Sequence, residues 1–316
     1  IESRNVTLDG GETTTISSTA DSPPETGTYT YGILTSNDRI EKRLTVVDAE
    51  FTTAVSTGDP HLVTFDGFEY DFQAAGEYVL LREPNGSLEI QARQEPSEFS
   101  RSVTINTGVA TTVDGHTVVI DATDDAPVTI DGSTVQIEES EPVSVGNGTV
   151  TRDRNSVRVV YPGEDDEAGR SDEYLTANLF EDRLDIEVNL DSSRTKDVEG
   201  LFGDLDENSG NDIAYPNGTT VSTSPGSDQL YGAYRDAWRV NNESTLFVYD
   251  GDNGPETYFD PTVPEDVLTV DDLDAEDRAA AEERAENAGL EPDTAAFRNA
   301  VIDYVITGDD SYLVSA

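Results

Sequence analysis

The stretch Ala110-Thr-Thr-Val-Asp-Gly-His-Thr-Val-Val-Ile120 consists of two runs rich in β-branched residues on either side of Asp114-Gly115. An Asp-Gly pair between such runs is a strong signal for a two-residue hairpin turn, because the turn needs backbone angles that these two residues tolerate. The signal recurs at Asp131-Gly132, which separates Val128–Ile130 from Thr134–Ile137. Both hairpins predict antiparallel sheet.

The same alternation of apolar and polar residues continues through the middle of the chain. Together with the two runs already quoted, Ala110–Val113 and Thr117–Ile120, the runs of this kind are Leu88–Ala92, Ser102–Ile105, Ser156–Val160 and Leu184–Val188. A period of two residues is typical of strands that bury one face. The sequence therefore predicts a mainly β fold, an antiparallel β-sandwich, with the single Trp238 packed in or under its core.

The segment 1–48 also has the pattern of strands and turns. Its runs are Asn5–Asp9, Thr13–Ile16, Gly27–Leu34 and Arg43–Val47, and it resembles the second half of an immunoglobulin-like domain of the cell-adhesion-related type. About four strands are too few to close a sandwich. We expect a partial immunoglobulin-like domain, cut from a longer protein, followed by a linker at 49–57. The alternative is that a neighbouring subunit supplies the missing strands.

The C-terminal part changes to a helical pattern after an irregular connector at 246–270. Ala275–Ala288 is rich in helix formers, follows a capping Asp274 and ends at Gly289. A second helix is predicted from near Pro292 to Gly308. Its apolar face is formed by Phe297, Ala300, Val301, Tyr304 and Val305. We expect a small helical hairpin over 271–316.

The chain is strongly acidic. Its 316 residues include 66 Asp and Glu against 19 Lys and Arg, which gives a net charge of −47. A Debye length of about 3 Å at 1 M salt would screen most of the resulting repulsion, and the composition resembles that of secreted proteins of extreme halophiles. Nucleic acid and anionic membrane surfaces are poor partners for such a chain. It has no cysteine, so disulfides and thiolate chemistry are excluded.

The loop Gly200–Ile213 has a high density of oxygen-bearing side chains. They recur at Asp204, Asp206, Asn208, Asn211 and Asp212. Hard divalent cations take six to eight oxygen ligands, so the loop predicts a calcium site. An EF-hand is excluded, because a loop counted from Asp204 has Ser209 at its sixth position and Tyr215 at its twelfth, where Gly and Glu are needed.

Four motifs together give a specific resemblance. They are Gly58-Asp-Pro-His-Leu-Val-Thr-Phe-Asp-Gly-Phe-Glu-Tyr-Asp-Phe72, Gly76-Glu-Tyr78, Gly200-Leu-Phe-Gly203 and Tyr234-Arg-Asp-Ala-Trp-Arg-Val240. This region resembles a von Willebrand factor type D domain, which we expect to span 58–245. The resemblance also covers the short helical unit that often follows such domains.

The resemblance implies a set of calcium ligands. Side-chain oxygens would come from Asp204, Asp206, Asn211 and Asp212, the backbone carbonyl from Asn208, and a distant carboxylate from Asp66. Because such an ion would tie two distant segments together, we expect it to be structural.

The opening Gly58-Asp-Pro-His61 is a self-cleavage site in some relatives of this family. There the Asp59 carboxyl would attack its own carbonyl carbon, Pro60 would leave, and His61 would transfer the proton. The alternative, which we favour, is a turn entering a strand, with Asp59 accepting hydrogen bonds. No Ser-His-Asp set or phosphate-binding glycine loop accompanies the motif, so we do not expect an enzyme acting on a separate substrate.

Five sequons, at Asn5, Asn85, Asn147, Asn217 and Asn242, are candidate glycosylation sites and favour an exported protein. No apolar stretch approaches the ~20 residues of a membrane span. We therefore expect a calcium-binding, extracellular or cell-surface module that acts in adhesion, surface assembly or filament formation. Its expected partners are other surface or matrix proteins, or further copies of itself. The alternatives are self-processing at Asp59-Pro60, and a filament or virion appendage subunit completed by strand exchange.

Overall fold

A computed structural model describes residues 27–34, 39–46, 51–162, 173–194, 198–222, 224–249, 251–292 and 294–315. The chain forms two compact units, residues 1–49 and 50–316. In the first unit, β1 (Gly27–Leu34) pairs antiparallel with β2 (Arg39–Val46), in a register from Gly27 opposite Val46 to Leu34 opposite Arg39. The predicted strands Asn5–Asp9 and Thr13–Ile16, and the sequon at Asn5, lie outside the described residues.

The described part of the second unit contains fourteen strands in two antiparallel sheets. The larger sheet has the order β12-β13-β14-β15-β16-β3-β4-β5 and the smaller has the order β11-β10-β9-β8-β7-β6. The larger is built from β3 (Phe51–Thr57), β4 (His61–Val63), β5 (Glu69–Asp71), β12 (Val143–Val145), β13 (Gly148–Asp153), β14 (Ser156–Val160), β15 (Tyr174–Leu179) and β16 (Leu184–Asp191). The smaller is built from β6 (Gly76–Arg82), β7 (Glu89–Pro96), β8 (Thr104–Val113), β9 (His116–Asp121), β10 (Val128–Ile130) and β11 (Ser133–Thr134).

One continuous apolar core takes side chains from both sheets, including Ile90 and Val109 from the smaller and Val157 and Ile186 from the larger. The prediction of a mainly β antiparallel sandwich is confirmed. Trp238, only 2% exposed, belongs to the same core, as predicted. Its indole N–H donates to the carbonyl of Ala214 at 2.9 Å, so the one polar atom of its side chain is satisfied.

The two predicted hairpins are present. Asp114 and Gly115 take φ values of +48° and +81° between β8 and β9, and Asp131 and Gly132 take +48° and +73° between β10 and β11. The predicted runs Ser102–Ile105 and Ala110–Val113 are wrong as separate strands, since β8 runs unbroken from Thr104 to Val113 and joins the end of the first run to the second. The run predicted at Thr134–Ile137 is also too long, because β11 ends at Thr134 and Ile137 turns into the core.

The prediction of a linker at 49–57 is also wrong. Residues Phe51–Thr57 form β3, which lies between β16 and β4 inside the larger sheet. The segment is short of large apolar residues, but Ala54 and Ser56 are completely buried, and Ser56 Oγ accepts a hydrogen bond from the Asn106 amide at 2.9 Å. Small residues fill this place because the facing sheet is close.

Short helices follow the sandwich. The first group is α1 (Ser227–Gln229), a π-helical turn (Leu230–Tyr234) and α2 (Arg235–Trp238); then come α3 (Pro255–Tyr258) and a 3-10 turn (Val270–Asp272). Another 3-10 turn, Ser192–Arg194, follows β16. None of the helices that the structure describes is long and apolar enough to cross a membrane.

The predicted helical hairpin is formed by α4 (Ala275–Ala288) and α5 (Ala295–Thr307), followed by α6 (Tyr312–Ser315). Asp274 caps α4 by accepting the N–H of Glu276 at 2.8 Å. The second helix begins three residues later than its predicted start near Pro292, because the Thr294 hydroxyl accepts the N–H of Phe297 and so sets the first turn.

Candidate metal centre

The loop that follows residue 198 is anchored on strand β6. The N–H groups of Leu201 and Phe202 donate to the carbonyls of Val79 and Leu80 at 3.2 and 2.9 Å. A Cβ at Gly200 would collide with the Leu80 carbonyl, so only glycine permits this close approach. The carbonyl of Phe202 in turn accepts the N–H of Phe65 at 3.1 Å. These bonds place the turn containing Asp66 beside the acidic loop.

Left-handed backbone at alternate residues orients the acidic side chains. Leu205 and Glu207 have φ values of +58° and +66°, which is uncommon for residues other than glycine. Leu205 is buried in the core, whereas Asp204 and Asp206 lie next to Asp66, with carboxylate oxygens of all three within 4.8 Å of one another. The backbone therefore gathers carboxylates that the sequence separates by about 140 positions.

Four oxygen atoms in this cluster are buried and accept no hydrogen bond from any residue that the structure describes. They are Oδ1 of Asp204, Asp206, Asn211 and Asp212. Leaving buried acceptors unsatisfied costs about 1–3 kcal/mol each. Four such atoms, one from each predicted side-chain ligand of this loop, fit the oxygen ligand set of a hard cation.

The second oxygens of the same carboxylates are held by protein donors. The Asn211 amide donates to Oδ2 of Asp206 at 3.0 Å and to Oδ2 of Asp204 at 3.4 Å. The hydroxyl of Thr64 donates to Oδ2 of Asp212 at 2.6 Å. Each carboxylate is therefore oriented by one oxygen while the other is left for a ligand. Thr64 was not predicted; its place two residues before Asp66 was the available signal.

Asp66 connects the two segments through the backbone. Its Oδ2 accepts the N–H groups of Asp206 at 3.0 Å and Asn208 at 3.2 Å. Asn208 is exposed, its side-chain oxygen accepts the N–H of Gly210, and its carbonyl accepts the N–H of Asn211 at 3.2 Å. The structure thus brings all six predicted residues together, with Asn208 at the solvent side.

Burial, and then repulsion between neighbouring carboxylates, raises the pKa values of Asp204 and Asp212. Burial, and then the nearby Asp66 and Asp204, raise the pKa of Asp212 to about 7, although the Thr64 hydrogen bond opposes the shift. Burial, Asp206 and Asp66 also raise the pKa of Asp204. A bound cation would remove this penalty, because it supplies the charge that these groups lack.

A second cluster lies at the Gly58–His61 turn. Nε2 of His61 contacts Oδ1 of Asp59 and lies 3.3 Å from Oδ1 of Asp303, while Nδ1 lies 2.6 Å from Oδ1 of Asp71. Asp59 and Asp303 are each 3% exposed. Asp303, on α5, was not predicted. The sequence feature that could have pointed to it is an acidic residue within the apolar run Ala300-Val-Ile-Asp-Tyr-Val-Ile306.

The sequons that the structure describes lie at the surface. Asn85, Asn147, Asn217 and Asn242 are all exposed. The side-chain oxygens of Asn85 and Asn217 accept the N–H of the residue two positions on, at 2.8 and 3.0 Å, as is usual in tight polar turns. Glycosylation of these residues stays a prediction.

The sequence profile of the von Willebrand factor type D domain matches residues 54–219. The chain is 28% identical over 210 residues to human sushi domain-containing protein 2, which covers 62% of this chain and 24% of that protein. It is 31% identical over 189 residues to SCO-spondin of Gallus gallus, covering 60% of this chain and 3% of that protein. Over 201 residues it is 24% identical to human mucin-4, and this match covers 60% of this chain and 4% of that protein. The chain therefore corresponds to a small part of each of these relatives.

Proposed function

Because this chain belongs to the von Willebrand factor type D domain family, we propose that it is an extracellular, calcium-binding module that acts in adhesion or assembly of surface proteins at high salt. The observation that carries the calcium proposal is the set of four buried oxygens without hydrogen bonds at Asp204, Asp206, Asn211 and Asp212. The matched relatives SCO-spondin and mucin-4 support an extracellular assembly role.

The proposed ion is structural. Asp66 lies in the turn after β4, whereas the other ligands lie in the loop after β16, so a shared ion would join the opening and closing segments of the sandwich. Side-chain oxygens of Asp66, Asp204, Asp206, Asn211 and Asp212 would hold it, with the carbonyl of Asn208 at its exposed side. The bound ion would supply positive charge among carboxylates that otherwise repel one another.

The net charge of −47 supports a role in concentrated salt. At about 1 M salt, interactions between exposed charges beyond about 3 Å are largely screened. Ligands held at the short distances of a coordination shell are screened far less. The proposed site would therefore keep its selectivity for calcium where the remaining surface charge is neutralised.

A matched pair of variants tests the site. Asp206→Asn and Glu207→Gln each remove one negative charge from the same loop, but Glu207 is exposed and only Asp206 lies in the oxygen cluster. Calcium titration at fixed, high ionic strength should show affinity reduced at least about tenfold by Asp206→Asn and almost unchanged by Glu207→Gln. Equal effects of the two substitutions would mean that the loop attracts cations only through its net charge.

A second candidate function is self-processing at the Asp59-Pro60 bond. The buried contact of the Asp59 carboxyl with His61 favours it, since an acid-base group adjoins the attacking one. A bond would form from the Asp59 carboxylate oxygen to its own carbonyl carbon, and the C–N bond to Pro60 would break as its nitrogen gains a proton. Water would then open the cyclic anhydride.

Intact mass after long incubation at pH 5 and pH 8 decides this second candidate. A fragment ending at Asp59 supports self-processing, and a single undivided mass at both pH values excludes it. The calcium titration is independent of this outcome, because none of the proposed ligands lies in the Gly58–His61 turn.

A further inference from the structure

The contact between the Gly58–His61 turn and helix α5 lies outside the proposed calcium site. We infer that Asp59, His61 and Asp303 form a proton-sharing lock that holds the C-terminal helical segment on the sandwich and releases it as the pH rises. The proposed function gives α5 no role.

The geometry of the imidazole shows why protons must be shared. A doubly protonated ring has two N–H groups, but three carboxylates face it, from Asp59, Asp71 and Asp303. Asp71 takes the Nδ1 hydrogen, and Asp59 is in direct contact with Nε2. Asp303, at 3.3 Å from Nε2, is satisfied if it carries its own proton and donates to Asp59.

The surrounding packing depends on this closed turn. A Cβ at Gly58 would lie 2.6 Å from Oδ2 of Asp303 and 3.6 Å from the ring of Tyr312, so the helical segment packs directly on the backbone. The N–H of Gly58 donates to Asp185 at 3.0 Å. The buried Arg183 pairs with Asp185 at 2.7 Å and stacks on Tyr312 at 4.0 Å. Tyr312 belongs to α6, so the two last helices contact the turn together.

The groups that face the cluster come from several elements. Strand β5 supplies Asp71, and α5 supplies Arg298, which lies near Asp71. The π-helical turn supplies Tyr231, and α6 supplies Tyr312. The residues around the start of β16 are Asp182, Arg183 and Asp185. Burial raises the pKa of both tyrosines, so they stay neutral across the relevant range. The change of charge on which the lock depends is therefore that of His61 and Asp303.

The shifts of these two groups have the same sign. Burial, and then the neighbouring Asp59, raise the pKa of Asp303 well above its ordinary 3.8. Burial lowers the pKa of His61, but Asp59 and Asp303 outweigh it and raise the value well above 6.5. A group whose pKa is raised in the docked state stabilises that state at pH values below its ordinary pKa. This stabilisation is lost as the pH rises through the raised pKa.

The weakening of this contact at low pH has another origin. His61 lowers the pKa of Asp71 below 3.8 against the effect of burial. That contribution is present above the ordinary value and is lost as the pH falls through the lowered one. Docking is therefore strongest at mildly acidic pH and weakens on the alkaline side, as His61 and Asp303 lose their protons.

Hydrogen exchange of the α5 amides tests the lock in the full chain, with saturating calcium and constant high salt. Relative to intrinsic exchange, protection in the wild type should fall at least about tenfold between pH 6 and pH 9. Asp303→Asn imitates the protonated carboxyl and should reduce this pH dependence to the part that comes from His61. The control Asp310→Asn makes the same substitution in the same segment at a side chain that is 71% exposed, and it should behave as the wild type.

A second variant keeps the test independent of Asp303→Asn. His61→Gln removes the cation and should reduce protection of α5 already at pH 6. The lock would be overturned if Asp303→Asn kept the wild-type pH dependence. It would also be overturned if protection did not return when the pH is lowered again, or if millimolar Zn²⁺ or Mn²⁺ restored protection at pH 9, since a metal ion would then be the bridging group.

Discussion

Two clusters of aspartates in this molecule are compensated in different ways. At the loop 204–212, four oriented oxygens accept no hydrogen bond within the described residues, and their nearest charged neighbours are other carboxylates. At the Gly58–His61 turn, the carboxylates of Asp59, Asp71 and Asp303 surround one imidazole. The first arrangement suits an added divalent cation, and the second suits protons already on the chain. Burial of acid alone therefore does not define a metal site; the donors around it do.

The largest expected effect comes from removing the imidazole. His61→Gln leaves the buried Asp59 carboxylate without its cation, and removing one partner of a buried pair typically costs about 3–5 kcal/mol. Urea unfolding at pH 6 with saturating calcium measures the loss. At pH 9 the loss should be smaller, because the raised pKa of His61 stabilises the fold at acidic pH and this contribution is lost as the pH rises. A loss that is equal at both pH values would contradict charge compensation at this turn.

Calcium removal should have the next largest effect. At a calcium concentration of about 100 times Kd, binding stabilises the folded chain by about 2.7 kcal/mol, so chelation at constant ionic strength should lower Tm by roughly 5–10 °C. The control is Asp206→Ala, whose Tm should respond little to chelator. If Asp206→Ala responds as strongly as the wild type, the ion binds elsewhere. Chelation should leave the pH dependence of α5 protection unchanged.

Thr64→Val is the third test. It removes the hydroxyl that orients Asp212 and accepts the N–H of Phe68. The expected cost is about 1–3 kcal/mol in unfolding free energy, together with weaker calcium binding. Protection of α5 should not change, since Thr64 does not contact that cluster. Unaltered calcium affinity would show that the orientation of Asp212 does not matter for the ion.

The smallest effect should come from an exposed pair. Arg284 and Asp310 lie 3.0 Å apart, with side chains 51% and 71% exposed. Arg284→Gln should change the free energy of unfolding by at most about 1 kcal/mol, and less at high salt. Thermal melting at low and high ionic strength checks this. A larger loss would place this pair with the buried clusters.

Sequence reasoning recovered the β-sandwich and the acidic residues of the loop, because both depend on short-range patterns. Alternation marks strands such as Thr117–Ile120, and Asp-x-Asp spacing marks the loop. The distant partner Asp66 was reached only through family resemblance. Calcium itself stays a prediction that the experiments above address.

Other features were missed because they depend on tertiary contacts. Asp303 lies 242 positions from His61, and no local pattern in the sequence relates them. The segment 49–57, predicted as a linker, contains β3, and the complete burial of Ala54 and Ser56 there depends on contacts with the facing sheet. Predictions based on propensity fail where a neighbouring element decides the environment.

The separation between His61 and Asp303 also has a kinetic consequence. Contacts this far apart in sequence close large loops, and folds dominated by such contacts form slowly. During synthesis the Gly58–His61 turn emerges long before α5, so Asp59 and its bond to Pro60 stay uncovered until the last helices arrive. The order in which the chain is made thus sets a period in which this turn is open to water.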